Sequence, residues 1–234
     1  MDGTFDACPH LFAQLFTLHV FEHDRLLPVV YCLLPGKTAA TYTAVFTALK
    51  NAATAAGLQF DPNHILSDFE TGLIRAVKTA FPNATHHGCY FHFTQAIWRQ
   101  LQALGLSADY RNDNIVRTSV RQLMALGFSP LLRVRTVFTQ LEVQAPPILR
   151  ALFVYFRDQW LDRVPPRMWN VFNADHNLRS NNHLEGWHSG FNRTISAHHP
   201  NIWRLLTALI KEQANTDVLV QQIAAGQVSN TKVK

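Results

Sequence analysis

Two apolar runs rich in β-branched and aromatic residues, "FAQLFTLHVF" and "LLPVVYCLLP", constrain the fold of this chain most strongly. Only the polar tetrad "EHDR" separates them. Two such runs around a short polar segment predict two strands joined by a tight turn. A lone hairpin is marginally stable in water, so other elements have to cover its apolar face.

Strand-like and helical segments alternate over the rest of the first third. "KTAATYTAVFTALKNAATAAG" has helical spacing, with Thr residues available as the N-cap and Gly57 as the end. A short strand ends at Asp68, "ETGLIRAVKTAFP" forms a second helix, and "ATHHGCYFHF" is a further short strand. This alternation predicts an α/β layer with a partly parallel sheet.

The pattern changes between Gln95 and Asp175. Four successive segments there have helical spacing, and Gly105, Gly127 and Pro130 are among the residues that separate them. This stretch is predicted to be an all-helical insertion. A last long helix is expected from near Pro200 to about residue 226, followed by a frayed end.

Composition limits the class of protein. With 234 residues, 47% hydrophobic and 16% charged, the chain is long enough for one sizeable core and is typical of a globular protein. No apolar run approaches the ~18 residues of a membrane span. The start lacks the pattern of a secretory signal, and three widely spaced cysteines argue against a disulfide framework. An intracellular, reducing location is expected.

The charge balance alone leaves two interpretations open. The chain has 21 Lys and Arg against 16 Asp and Glu, a formal net charge of +5. That charge is compatible with a nucleic-acid partner, but the basic residues are spread along the chain. A solvated basic surface is the other interpretation.

Three acidic residues stand out by their settings. Asp2 opens the first strand-like stretch and precedes Gly3, whose missing side chain would leave room for a ligand. Asp68 follows a strand that is expected to be central in the predicted sheet, and ligands of open α/β sheets gather at the carboxyl ends of strands. Glu185 shares a helical face with three polar residues, namely His188, Ser189 and Asn192.

Three carboxylates from distant parts of a chain suit two-metal phosphoryl transfer. Two Mg²⁺ or Mn²⁺ ions roughly 3.5–4 Å apart clamp the attacking and leaving oxygens of an in-line displacement. Each acid also has a simpler interpretation. Asp2 is then an ordinary terminal residue, Asp68 an N-cap of the following helix, and Glu185 a solvated helical residue.

The blocks "DGTF", "LPGKTAATY", "SDFETGLIRAV", "FPNATHHGCYFHFTQAIWRQLQALGL" and "NNHLEGWHSGFNRTI" together resemble the transposase domain of Mutator-like elements (MULE). The resemblance implies an RNase H-like fold of the DDE superfamily, with a mixed sheet flanked by helices and an all-α insertion before the third acid. Together with the helical pattern, it predicts a core formed by residues 1–94 and 176–226, an insertion at 95–175 and a frayed tail at 227–234. Asp2, Asp68 and Glu185 match the catalytic, metal-binding acids.

The same family has a Cys-x-x-His element, matched here by Cys89 and His92. These two side chains are candidates for a second or structural metal site. Zinc usually takes four ligands and only two are adjacent, so a packed Cys and a hydrogen-bonding His remain the alternative.

Further residues are candidates for positioning DNA, or equally for capping and surface roles. They are Asn181, Asn182, His188, Asn192 and Arg193, together with the basic residues Lys37, Arg99 and Arg179 as phosphate contacts.

The resemblance implies metal-dependent DNA cleavage and strand transfer in the nucleus, with DNA as partner, two Mg²⁺ or Mn²⁺ ions as cofactors, no membrane association, and homo-oligomers. Only Met1 precedes Asp2, where the family has a longer first strand. A truncated or domesticated remnant that binds DNA or protein without catalysis is therefore the alternative expectation, and a zinc hydrolase built on Cys89 and His92 is the third.

Overall fold

The computed structural model of the chain describes residues 1–23, 25–174 and 182–227, except for the side chains of Asn182, His183 and Glu185. It is a mixed α/β structure. Its strands are β1 Asp2–Thr4, β2 Gln14–Glu22, β3 Arg25–Leu34, β4 His64–Ser67 and β5 Thr85–Gly88. Its α-helices are α1 Ala39–Ala55, α2 Thr71–Ala80, α3 Tyr90–Ala103, α4 Ser107–Asn112, α5 Asn114–Ala125, α6 Val134–Gln144, α7 Arg150–Phe156, α8 Asn182–Ile195 and α9 Ile202–Ala224.

The predicted hairpin is present. Strands β2 and β3 pair antiparallel from Gln14↔Leu34 to Glu22↔Arg25, with an irregularity after Leu18. Strand β1 adds to the other edge of β2, so the order is β1-β2-β3. Residue 24, in the predicted turn, lies outside the described residues.

Helices α1 and α2 pack against each other, as their apolar spacing requires. Thr38 caps α1 by accepting a hydrogen bond from the backbone N–H of Thr41, which confirms the predicted Thr cap. Tyr42 and Phe46 of α1 are buried, and the ring of Phe46 meets that of Phe81 at 5.2 Å between centroids. The helix pair is thus held by interlocking aromatic and aliphatic side chains.

A glycine lets the start of α2 approach the segment before α1. A Cβ on Gly72 would run into the carbonyl oxygen of Lys37 and lie 3.1 Å from the backbone nitrogen of Ala39. These atoms belong to the backbone and cannot simply rotate away. The glycine of "SDFETG" is therefore explained by close packing of the two helices.

Strands β4 and β5 form a separate two-stranded parallel sheet, with His64 opposite Thr85 and Ser67 opposite Gly88. The sequence predicts one mixed sheet with the strand before Asp68 in a central position. In the described residues, β4 has one hydrogen-bonded neighbour strand, and antiparallel and parallel pairing occur in different sheets. The α/β class is correct, and the central position of this strand is wrong.

The segment "ATHHGCYFHF" is only partly a strand. Strand β5 ends at Gly88, and α3 begins at Tyr90 with Cys89 as its N-cap. Aromatic residues favour strands locally, but Phe93 is fully buried at a helical position where it stacks on Trp169 at 4.6 Å. Tertiary packing thus overrides the local strand preference.

The four predicted helical segments after Gln95 are present as α3, α5, α6 and α7. Short 3₁₀ turns precede α6 and α7, and α7 continues into a π-helix at Arg157–Arg163. Their apolar faces meet around an aromatic cluster of Phe93, Phe138, Phe156, Trp160 and Trp169. Each of these large side chains contributes about 1.5–3 kcal/mol by burial.

Helices α8 and α9 cover the β1–β3 sheet. Leu15 of β2, Phe191 and Ile195 of α8, and Leu205 and Ala208 of α9 belong to one buried cluster. Asn201 caps α9 through the backbone N–H of Arg204, close to the predicted start at Pro200. The hairpin thus receives the apolar cover that its sequence requires.

The chain divides into two compact units. The first contains Met1–Asn63 and Glu70–Ala84 together with α8 and α9. The second contains His64–Phe69 together with β5 and the helices α3 to α7. Within the described ranges, no helix combines the length and the apolar character that a bilayer crossing requires.

Candidate functional site

Asp2 lies on β1, opposite Thr17 of β2. Its Oδ1 accepts a hydrogen bond from the backbone N–H of Gly3 at 2.8 Å, and its backbone carbonyl accepts one from the Thr17 hydroxyl at 3.4 Å. The Asp2 side chain is 12% exposed. Asp2 is therefore a partly buried, oriented carboxylate, and its interpretation as an ordinary exposed residue is wrong.

The space beside Gly3 is filled by a side chain of the same fold, whereas the sequence predicts room for a ligand there. A Cβ on Gly3 would collide with the side-chain oxygen of Gln14. Gln14 is buried there because its amide donates a hydrogen bond to the Tyr42 hydroxyl at 2.6 Å. Gly3 thus makes room for a neighbouring side chain of the same fold.

His188 of α8 contacts Asp2. Its Nε2 lies 3.5 Å from Asp2 Oδ2, and the His188 side chain is 13% exposed. Neither ring nitrogen has an aligned hydrogen-bond partner among the described residues, so the contact is a close polar approach rather than a directional hydrogen bond. The predicted positioning residue His188 therefore reaches the first candidate acid directly.

Aromatic side chains hold the His188 ring in place. The Trp187 and His188 rings meet at 5.2 Å, and the His19 ring packs edge-on against Trp187 at 4.8 Å. Trp187 in turn donates a hydrogen bond from Nε1 to Glu212 Oε1 of α9 at 2.6 Å. The polar face of α8 is thus anchored both to the sheet and to the next helix.

His19 is neutral in this surrounding. Burial lowers the pKa of His19 from 6.5 to about 3, although the Asp2 carboxylate acts in the opposite direction. Because the Thr17 hydroxyl donates to the Asp2 carbonyl, it accepts from His19 Nε2–H at 3.0 Å. This chain of hydrogen bonds assigns the tautomer of His19 and fixes the backbone of Asp2.

Asp68 directly follows β4, as predicted, and it is not the N-cap of α2. The N-cap is Glu70, whose carbonyl oxygen accepts the first helical hydrogen bond from Ile74 N–H at 2.9 Å. The capping interpretation of Asp68 is therefore wrong. Asp68 is instead a half-buried carboxylate at the carboxyl end of β4.

Ser67 and His86 fix the backbone of Asp68. The buried Ser67 hydroxyl donates to the Asp68 carbonyl oxygen at 2.8 Å and accepts from His86 Nε2–H at 2.7 Å. Burial lowers the pKa of His86 to about 4, with His87 adding to the shift. A neutral imidazole therefore supports the strand end next to the second candidate acid.

The remaining candidates fall partly outside the described residues. Asn181 and Arg179 lie outside them, as do the side chains of Asn182 and Glu185. The backbone of Glu185 is in α8, one helical turn before His188.

Two further candidates line one cavity of ≈ 690 Å³ on α8, in the first unit. They are Asn192, which is half-buried, and Arg193, which is exposed. His188 borders the same cavity, so three of the predicted DNA-positioning residues share one surface.

Cys89 and His92 both lie at the start of α3. Cys89 is completely buried with a free thiol, and its backbone N–H donates to the Ser67 carbonyl at 2.8 Å. Within the described residues, no three His, Cys, Asp or Glu side chains converge in a way that could hold a metal ion. The zinc hypothesis therefore stays a prediction.

Lys37, a predicted phosphate contact, is engaged within the fold. Its ammonium group lies 3.5 Å from Glu70 Oε2 and 3.9 Å from the centre of the Phe5 ring. A DNA phosphate would have to compete with both contacts. Lys37 therefore serves first to attach the start of α2 to the segment before α1.

Sequence reasoning missed Thr17, Ser67 and Glu212. Thr17 and Ser67 are polar residues inside apolar strands, and a buried hydroxyl needs a partner. That signal is visible in the sequence, but the partner is not. Glu212 gives no signal, because its contact with Trp187 depends on how α8 and α9 pack.

Comparison with known proteins supports the resemblance for the first part of the chain. The family model described as "MULE transposase domain" matches residues 1–96. This range includes Asp2, Asp68, Cys89 and His92. No curated protein matches the chain.

Proposed function

We propose that the chain is the catalytic part of a DNA transposase with an RNase H-like DDE core, because the family model of the MULE transposase domain matches residues 1–96. On this proposal it cleaves DNA and transfers strands in a metal-dependent reaction, in the nucleus and as a homo-oligomer. The main observation that supports the proposal is that Asp2, a partly buried carboxylate, contacts the helix on which Glu185 lies.

The donor chemistry fits hard divalent cations. Asp2, Asp68 and Glu185 offer carboxylate oxygens, which Mg²⁺ and Mn²⁺ prefer. Neither Asp2, whose side chain is 12% exposed, nor Asp68 is fully buried, so both keep some accessible surface. When bound, two such ions would activate a water or a 3′-hydroxyl and stabilise the leaving oxygen at a DNA phosphodiester.

The other side chains have supporting roles on this proposal. His188 and the Thr17 hydroxyl orient Asp2, while Ser67 and His86 hold the backbone of Asp68. Carboxylates that the fold already holds in position lose less conformational entropy when they bind cations and DNA. Arg193 and Asn192 would contact the DNA strand beside Asp2.

A nicking assay tests the proposal. Supercoiled plasmid should be nicked in Mg²⁺ or Mn²⁺ by the unchanged chain, and Asp68→Asn should abolish nicking. Asp61→Asn is the matched control, because it makes the same change at an exposed position just before β4. The control should nick at the normal rate.

Calorimetric titration with Mn²⁺ gives an independent measurement. Uptake that Asp68→Asn removes and Asp61→Asn preserves supports the proposal. DNA binding with neither metal uptake nor nicking would instead support the non-catalytic remnant. Stoichiometric zinc in the purified protein would support a metal at Cys89 and His92.

A further inference from the structure

The cavity on α8 has the size of a small-molecule site. Its volume of ≈ 690 Å³ lies within the roughly 300–1,000 Å³ usual for ligand pockets. It opens beside His188, the residue that contacts Asp2. A ligand here would therefore lie next to the first candidate acid.

One wall of the cavity is cationic. Arg193 is exposed, and its guanidinium makes no ion pair with the described side chains. A planar guanidinium with five donors suits a phosphate. His198 lines the same cavity, and its imidazole side chain is 86% exposed.

Two other residues add hydrogen-bonding groups to the cavity. Asn192 contributes an amide, which carries both donors and an acceptor, and its Oδ1 is buried without a hydrogen-bond partner within the described part of the chain. Asp6 is 63% exposed, and its Oδ1 lies 3.8 Å from His198 Nδ1. A carboxylate on the wall would repel a bare anion.

The set of groups therefore suits a ligand that combines a phosphate with hydrogen-bond donors and a flat ring. Inorganic phosphate lacks the donors and the ring, and a metal ion would be repelled by Arg193. A nucleotide has all three features, because bases offer amino or imino donors and stack on imidazole or guanidinium planes.

We propose that this cavity binds one nucleotide of the DNA strand that enters the active site, with its phosphate on Arg193 and its base toward Asn192 and Asp6. The inference rests on the proposed function, since it names the part of the DNA that this surface holds. It makes Arg193 a binding residue and Asp6 a determinant of base preference.

Fluorescence anisotropy with labelled single-stranded and duplex oligonucleotides, in EDTA, tests the inference without catalysis. Arg193→Gln should weaken binding about tenfold, the value of one charged hydrogen bond. It should also reduce the salt slope of the affinity by about 0.7–0.9, as expected for one lost phosphate contact. Lys211→Gln is the control, because Lys211 is exposed on α9 outside the cavity.

Base preference and the source of the nucleotide are measured with the same probes. Asp6→Asn should change the order of affinity among dA, dC, dG and dT homopolymers, whereas Arg193→Gln should weaken all four alike. Competition by free deoxynucleoside monophosphates would show that the cavity takes a free nucleotide. Its absence would show that the nucleotide must be part of a strand.

Equal effects of Arg193→Gln and Lys211→Gln on affinity and salt slope would overturn the inference, because net charge alone would then explain them. Metal-dependent nicking without a specific Arg193 effect leaves the proposed function intact and removes only the nucleotide site. A specific effect of Arg193→Gln on DNA binding without any nicking would keep the nucleotide site and contradict the proposed function. Circular dichroism and thermal unfolding confirm that both exposed variants fold.

Discussion

The two carboxylate oxygens of Asp2 have different surroundings. Oδ1 accepts a hydrogen bond from its own neighbour's N–H, and Oδ2 faces the His188 ring at 3.5 Å. Both oxygens of this carboxylate therefore face polar groups of the first unit.

His86 should make the protein less stable in mild acid. Its pKa is 6.5 in the unfolded chain and about 4 in the fold, because burial disfavours the charged imidazole. Between these two values the unfolded state binds more protons, so the free energy of unfolding falls as the pH drops from 6.5 to 4. The loss from pH 7 to pH 5 is expected to be about 2 kcal/mol.

Urea unfolding at pH 7 and pH 5 measures this loss. His86→Gln removes the titrating ring and should remove its share of the pH dependence. His64→Gln is the control, because His64 is exposed on the neighbouring strand. An unchanged pH dependence in His86→Gln would show that His86 is not the group responsible.

At this scale, the sequence points to candidate residues but not to their contacts. Asp2, Asp68 and His188 become candidates through their motifs. The contact of His188 with Asp2 joins residues 186 positions apart in the chain and depends on how α8 packs against the β1–β3 sheet. Gly3 illustrates the limit of a local argument. The sequence assigns the space beside it to a ligand, but the side chain of Gln14 fills that space.

Among the elements, two helical glycines have different surroundings. A Cβ on Gly72 of α2 would collide with the backbone of Lys37, whereas a Cβ on Gly190 of α8 would meet no atom within 4 Å. Alanine is the better helix former by about 1 kcal/mol at an unobstructed interior position. Substitution by alanine should therefore change the free energy of unfolding in opposite directions at the two sites.

Gly72→Ala is expected to lower the free energy of unfolding by about 1–3 kcal/mol, because backbone atoms have to shift. Gly190→Ala should raise it by about 0.5–1 kcal/mol. Chemical denaturation of both variants provides the measurement. Stabilisation by Gly72→Ala would show that α1 and α2 do not pack as closely as described.

The elements themselves are mostly predictable, because local chemistry specifies them. Thr38 caps α1, and the hairpin follows from its two apolar runs. The segment after Gly88 is an exception, because Tyr90 and Phe93 favour a strand locally while the aromatic cluster requires them on α3. Sheet organisation is the other exception, because the alternation predicts the parallel pairing of β4 with β5 but not that these two strands form a sheet separate from β1–β3.

At the scale of the whole molecule, the two units have different types of core. The first combines an antiparallel sheet with α8 and α9, and the second is dominated by helices around an aromatic cluster. Asp2 belongs to the first unit and Asp68 to the second. The family match covers residues 1–96 and thus includes parts of both.

If the proposed function is correct, divalent cations should stabilise the folded chain. A ligand that binds only the native state adds about 2.7 kcal/mol when its free concentration is a hundred times its dissociation constant. Thermal unfolding in rising Mn²⁺ should therefore show an increasing midpoint. Asp2→Asn and Asp68→Asn should each remove this increase, because each deletes a proposed ligand.

Asp61→Asn serves again as the control, since it lowers the negative charge equally but at an exposed position, and its midpoint should rise with Mn²⁺ as in the unchanged chain. Loss of the increase in Asp2→Asn alone would restrict the cation to the first unit. An equal increase in all four proteins would mean that Mn²⁺ binds elsewhere. The shared-metal interpretation of Asp2 and Asp68 would then be wrong, whatever the DNA affinity.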